Sequence, residues 1–208
     1  MKPTAVAALC AALSGLTAGT AHARPDVHRV VNVDQTDVLN IRETPSPTSA
    51  IVATLSPNAR MVEVLETRHG WGRVVVRGGE GWVSLAYLAA MDRTPIPGQG
   101  APGGFRCAGT EPFWGLDIGT DGTGRYHDMM SLGEERAIAV SESRTASGRF
   151  QPFVYRFGGE AGGVAVVTEG MCSDGMSDRQ YGWRAYVDAE DGEGVRFVEG
   201  CCWTPPQE

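Results

Sequence analysis

The sequence predicts an all-β chain of two small units: a small barrel, then a second antiparallel meander or barrel that contains disulfides. Three observations carry this. Short runs of β-branched and aromatic residues recur between turns rich in Gly, Pro, Asn and Asp, and neither half has a helical period. A Pro/Gly-rich stretch from Thr94 to Gly104 within residues 92–104 reads as a linker, leaving patterned regions at 27–91 and 105–203. Four cysteines, Cys107, Cys172, Cys201 and Cys202, all fall in the second region.

Residues 1–23 read as a signal peptide. Lys2 supplies a positive start, Ala5 to Leu16 is apolar, and Ala21-His22-Ala23 is an A-x-A cleavage site. The apolar run is shorter than the roughly 20 residues needed to cross a bilayer. Cleavage after Ala23 implies export to the periplasm without a transmembrane anchor. Cys10 leaves with the leader, and an even set of four thiols in an oxidising compartment favours disulfides over a metal site or a catalytic thiol. Neighbouring residues of a strand face opposite sides, so Cys201 and Cys202 can each take a distant partner. Cys172 is expected to pair with one of them and Cys107 with the other. The net charge is −7, or −8 without Lys2, which argues against a nucleic-acid partner.

In the first region the strand-like runs are Val30 to Val33, Val38 to Ile41, Ile51 to Leu55, Val62 to Val64, Trp71 to Val76 and Gly81 to Val83. Strands this short, joined by tight turns, suit a small barrel. The series Val38-Leu39-Asn40-Ile41-Arg42, Pro45, Ser49, Ile51-Val52, Leu55, Val62 to Leu65, Gly70-Trp71, Val74, Gly81-Trp82-Val83 and Tyr87-Leu88 resembles the bacterial SH3-like (SH3b) domain. The resemblance covers nearly the whole region; Asn58 departs from it where the family often has a turn glycine. It implies a module for cell-wall peptides (peptidoglycan) or proline-rich, extended segments of a partner protein.

In the second region Trp114, Leu116 and Ile118 alternate before a turn at Thr120 to Gly124. Phe153, Tyr155 and Phe157 alternate before Gly158-Gly159, and Val164 to Thr168 is a fuller apolar run. Tyr181 to Val187 alternates, and Asp188 to Gly194 reads as an acidic turn into Val195 to Val198. Successive hairpins favour a meander closed, or nearly closed, into a barrel. The segments Cys107 to Trp114, Met171 to Arg179 with Tyr181, and Gly200-Cys201-Cys202 resemble an uncharacterised family of bacterial exported proteins and lipoproteins. That family implies a domain but no activity.

Candidate site residues come in two groups. Trp71, Trp82 and Tyr87 form an aromatic groove for an extended peptide, or the tryptophans fill the core of a domain with little else to bury. Asn40 and Arg42 sit in the L-N-x-R stretch, where they contact ligand or brace a turn. In the second region Glu111, Trp114, Asp174, Asp178 and Arg179 line a barrel mouth that takes a small polar ligand or a cation. Alternatively, Arg179 pairs with Glu111 or Asp174 to lock two loops while Asp174 and Asp178 make turns.

Enzyme signatures fail. Gly170 to Gly175 has one residue too many before Ser173 for a nucleophile elbow, and Asp188 to Glu193 lacks calcium-loop spacing. His127 is the one histidine placed to serve the second region as a base. No catalytic residue, metal ligand or cofactor is predicted. The expectation is an exported, non-enzymatic binding protein of unassigned oligomeric state. The rivals are a wall-targeted hydrolase using Glu111 or Asp174, and a structural envelope protein.

Overall fold

The computed structural model describes residues 26–76, 79–129, 134–192 and 194–207. The signal-peptide reading, with Lys2, Cys10 and the cleavage site after Ala23, lies outside the described residues.

The fold is all-β. The first unit is a seven-stranded antiparallel sheet made from β1 (Asp26–Val30), β2 (Leu39–Arg42), β3 (Ile51–Leu55), β4 (Val62–Arg68), β5 (Trp71–Val76), β6 (Gly79–Ser84) and β7 (Leu88–Met91), in the order β3-β2-β6-β5-β4-β1-β7. A 3-10 turn, Leu85–Tyr87, joins β6 to β7. Its core is aliphatic, with Val30, Leu39, Ile41, Leu55, Val62, Val64, Val74 and Val83 all buried. The expected Val30 to Val33 strand ends at Val30. Asn32 adopts φ 58, a left-handed backbone that Asn tolerates, and the chain leaves the sheet there.

The second unit is a closed barrel of eight strands: β8 (Phe105–Thr110), β9 (Phe113–Ile118), β10 (Thr123–Asp128), β11 (Arg136–Thr145), β12 (Phe153–Gly159), β13 (Gly162–Ser173), β14 (Gln180–Asp191) and β15 (Gly194–Trp203). Antiparallel pairing of β15 with β8 closes it. Closure removes the exposed edges that an open meander would leave. Inward positions carry Phe105, Trp114, Leu116, Tyr126, Phe153, Tyr155 and Trp183, so the lumen is a packed core. Cys107–Cys202 spans the closing seam, and Cys172–Cys201 ties β13 to β15 across the intervening strand. The expected pairing scheme is thus realised. Cys202 faces the lumen core, while Cys201 packs with Cys172, Tyr181 and Trp203 in a separate cluster.

Two local expectations are corrected, and two strands were not foreseen. Asp188 to Asp191 is strand, not turn, because Ala189 is buried and the Asp191 carboxylate turns inward to pair with Arg136 at 3.1 Å and Arg196 at 3.4 Å. Strands β10 and β11 had no clear apolar signature, since their outward positions carry Arg125, Glu142 and Arg144. The Thr94 to Gly104 stretch is not a free tether. Ile96 and Ala101 are buried in the barrel core, Gln99 accepts from Ser143 N at 2.7 Å, and the Tyr155 hydroxyl donates to Pro102 O at 2.6 Å. Few apolar residues suffice when both of them plug the barrel end.

The two units meet over one buried carboxylate. Glu63 of β4 accepts from Trp183 Nε1 at 2.6 Å, from Thr204 N at 3.1 Å and from Arg93 Nη2 at 3.5 Å. The Arg93 guanidinium lies 4.8 Å from the Phe105 ring centroid and 4.9 Å from that of Trp183. Beyond Thr204, Arg60 and Gln207 exchange backbone hydrogen bonds of 2.8 and 2.9 Å, carrying the chain back onto the first unit.

Candidate functional site

A cavity of about 580 Å³ opens on the first unit, lined among others by Trp71, Tyr87, Asn40, Arg42, Asp34 and Asp37. Three backbone devices set it up. The two-residue loop His69-Gly70, with φ 48 and 83, turns β4 tightly into β5 and places Trp71 at the hairpin's end, opposite Arg68. Leu85 N donates to Gly70 O at 2.9 Å, tying the 3-10 turn to that hairpin and fixing Tyr87 beside it. The segment after β1 is clamped to the same turn by Val31 N to Tyr87 O at 2.9 Å and Asn32 Nδ2 to Ala86 O at 3.4 Å. Gly81 explains the Gly-Trp pair: a Cβ there would lie 2.6 Å from Ile41 Cγ2 and 2.9 Å from Arg42 O, so only glycine lets β2 approach β6.

Trp71 is half-buried, and Tyr87 keeps 41% of its surface exposed. Both therefore present ring surface with polar edges available to a ligand. The Asn40 side chain makes no hydrogen bond among the described residues and is half-buried at the groove wall. Arg42 also lines the groove, but its Nη1 donates to Ser49 O at 2.6 Å and braces the Thr44 to Ser49 loop. Trp82 lies elsewhere. It is buried and carries the Arg68 guanidinium 5.3 Å from its ring centroid, outside the groove lining.

The second candidate group does not assemble into a mouth. Trp114 is buried in the barrel lumen and donates its indole N–H to Glu199 O at 3.1 Å. Asp174 organises the β13–β14 connection: its carboxylate accepts from Met176 N, Ser177 N, Ser177 Oγ and the Tyr181 hydroxyl, at 2.9 to 3.1 Å. Those hydrogen bonds hold its carboxyl below the ordinary carboxylate range. Its backbone oxygen accepts from Thr110 Oγ1 at 2.8 Å, fastening the connection to β8. Arg179 donates to Gly79 O at 2.9 Å, reaching the first unit, and stacks 5.6 Å from the Tyr181 centroid. Glu111 and Asp178 are exposed.

Sequence reasoning missed a polar cluster inside the barrel. Asp128 and Asp191 point into the lumen, with Arg196 at 3.1 Å from Asp128 and Tyr126 donating to Asp128 at 3.3 Å. Burial and the adjacent Asp128 push the Tyr126 hydroxyl up to about 12. Inward parity along β10 and β14 was the signal that could have found it. The groove's acidic residues, Asp34 and Asp37, were also missed.

The first unit is thus a small antiparallel sheet with an aromatic groove between its connecting loops. Residues 37–89 match the family model of the bacterial SH3 domain, which contains Trp71, Trp82, Tyr87, Asn40 and Arg42. No curated protein and no solved structure matches the chain. The two disulfides belong to an oxidising environment. Among the described residues no helix is long and apolar enough to cross a membrane.

Proposed function

We propose that the chain is an exported, periplasmic, non-enzymatic binding protein. Its SH3-like groove recognises a cell-wall peptide or an extended segment of a partner protein, and the barrel is a second module, structural or binding, docked against it. The observation that carries this reading is the groove itself: Trp71 and Tyr87 stand on a surface braced from three sides, within the stretch that matches the bacterial SH3 domain. Extended peptides bind such aromatic grooves by stacking and by hydrogen bonds to the ring N–H and O–H.

The non-enzymatic part is supported by Asp174. A carboxylate already accepting four hydrogen bonds, with its pKa lowered by them, is a poor general acid. Retention of the full mature chain on purified wall sacculi and on arrayed peptides tests the reading. Trp71→Ala and Tyr87→Ala should each weaken capture by roughly tenfold or more, as for aromatic anchors generally. Capture that survives both substitutions refutes the groove. Clearing of a sacculus suspension that Glu111→Gln abolishes refutes the non-enzymatic assignment.

A further inference from the structure

We infer that the outer face of strands β12 to β15 docks a second copy of this chain, face to face, about a two-fold axis that runs along the strands. The inference stands apart from the groove and does not depend on it.

The lumen takes one side of each barrel strand, and the side turned to water is ordinarily polar. That holds for β10 and β11, whose outward positions carry Arg125, Glu142 and Arg144. It fails across the barrel. There the outward positions carry Val154 of β12, Val164 and Val166 of β13, Tyr186 of β14, and Val195 and Phe197 of β15. Val195 and Phe197 keep 67% and 72% of their surface exposed. Val154 lies opposite Val166, Val166 lies opposite Tyr186, and the Tyr186 and Phe197 rings stack with centroids 6.5 Å apart. The patch is therefore continuous over four neighbouring strands. Apolar surface of that extent marks a place where another molecule sits.

The charges around the patch identify its occupant. On β12, Arg156 Nε lies 3.4 Å from Glu142, and its terminal nitrogens have no partner among the described residues. On β14, Asp188 and Glu190 are exposed, and their carboxylates have no ion-pair or hydrogen-bond partner there. The register sets Arg156, Val164, Asp188 and Phe197 in one row, and Val154, Val166, Tyr186 and Glu199 in the next. A two-fold axis between β13 and β14 lays each row on its own reverse. Val166 then meets Tyr186. Arg156 meets Phe197 with Asp188 beside it, a ring face and a free carboxylate that both attract a guanidinium. The patch is complementary to itself, as a two-fold interface requires. An anionic membrane surface is repelled by Asp188 and Glu190, and closure leaves no strand edge for pairing.

Four strands spaced about 4.8 Å apart, each covered over about six residues, give a footprint on the order of 400 Å². A standard interface covers about 800 Å² per partner, so this dimer belongs to the weak class, with a Kd on the order of 10 µM.

Sedimentation of the full mature chain from about 1 to 500 µM tests the inference, and a shift from monomer to dimer is expected across that range. Phe197→Asp should weaken association by about tenfold or more while leaving thermal unfolding nearly unchanged, because the ring lies outside the core. Arg156→Glu and Asp188→Arg should each weaken it too, since each sets like charges together. An equimolar mixture of those two variants should associate again, since both contacts then join opposite charges. Trp71→Ala should change nothing. A chain that stays monomeric throughout overturns the inference, as does a dimer indifferent to Phe197→Asp. A mixture that fails to associate overturns the two-fold geometry, and loss of association on Trp71→Ala moves the contact to the groove. A monomeric chain that binds zwitterionic vesicles through Phe197 gives the patch to a lipid surface instead.

Discussion

The two units use the same kinds of aromatic side chain in opposite ways. In the barrel, Trp114, Tyr126, Tyr155 and Trp183 turn inward, and each finds a partner for its polar atom: Glu199 O, Asp128, Pro102 O and Glu63. Closure makes them filling. In the first sheet the core is filled by valine, leucine and isoleucine, and Trp71 and Tyr87 stand at a groove. The difference teaches that aromatic content alone does not mark a site. What marks it is an aromatic ring whose sheet has another way of filling its core.

The comparison breaks most visibly at the barrel seam. Cys107→Ser with Cys202→Ser removes a link between residues 95 apart in sequence, and chemical denaturation should show a loss of about 4–5 kcal/mol on the chain-entropy model. The groove is braced without any cysteine, so binding by the fraction still folded should keep its affinity. Next is the joint. Glu63→Ala leaves Arg93 buried without its carboxylate and Trp183 Nε1 without its acceptor, and it should cost about 3–4 kcal/mol in the same measurement. If the loss is instead confined to the first unit's transition, the units unfold independently and the joint is weaker than its geometry suggests.

Smaller effects sharpen the contrast. Tyr87→Ala should change thermal stability by no more than about 1 kcal/mol while reducing peptide binding, because its ring serves the surface. Tyr126→Phe should cost about 1 kcal/mol through its lost hydrogen bond to Asp128. It also has a pH signature. The folded-state pKa is raised from 10.0 to about 12, so the neutral hydroxyl stabilises the fold below pH 10, and that stability is lost as pH rises towards 12. The Phe variant should show a shallower alkaline limb in unfolding experiments run across that range.

Much of this was legible in the chain. Alternation at Trp114, Leu116 and Ile118 and at Phe153, Tyr155 and Phe157 is a strand signal that burial bears out. The opposed facing of Cys201 and Cys202 follows from strand parity, and so did the pairing scheme. Trp71, Tyr87, Asn40 and Arg42 could be placed together because a run of spacings, not one residue pair, located them. Asp34 and Asp37 were opaque, since a turn aspartate and a groove aspartate have the same local pattern until tertiary folding sets what lies beside them. Ile96 and Ala101 were hidden for a related reason: composition described their segment as a spacer, while two side chains decided where it packs. Asp191 read as solvated because acidity outweighed its inward parity.

Strand β15, the last of the eight barrel strands, holds a thiol from each bridge at adjacent positions. Until that strand is present, Cys107 and Cys172 have no native partner. Native oxidation of the second unit therefore waits for β15. The order of assembly is written into the position of one strand.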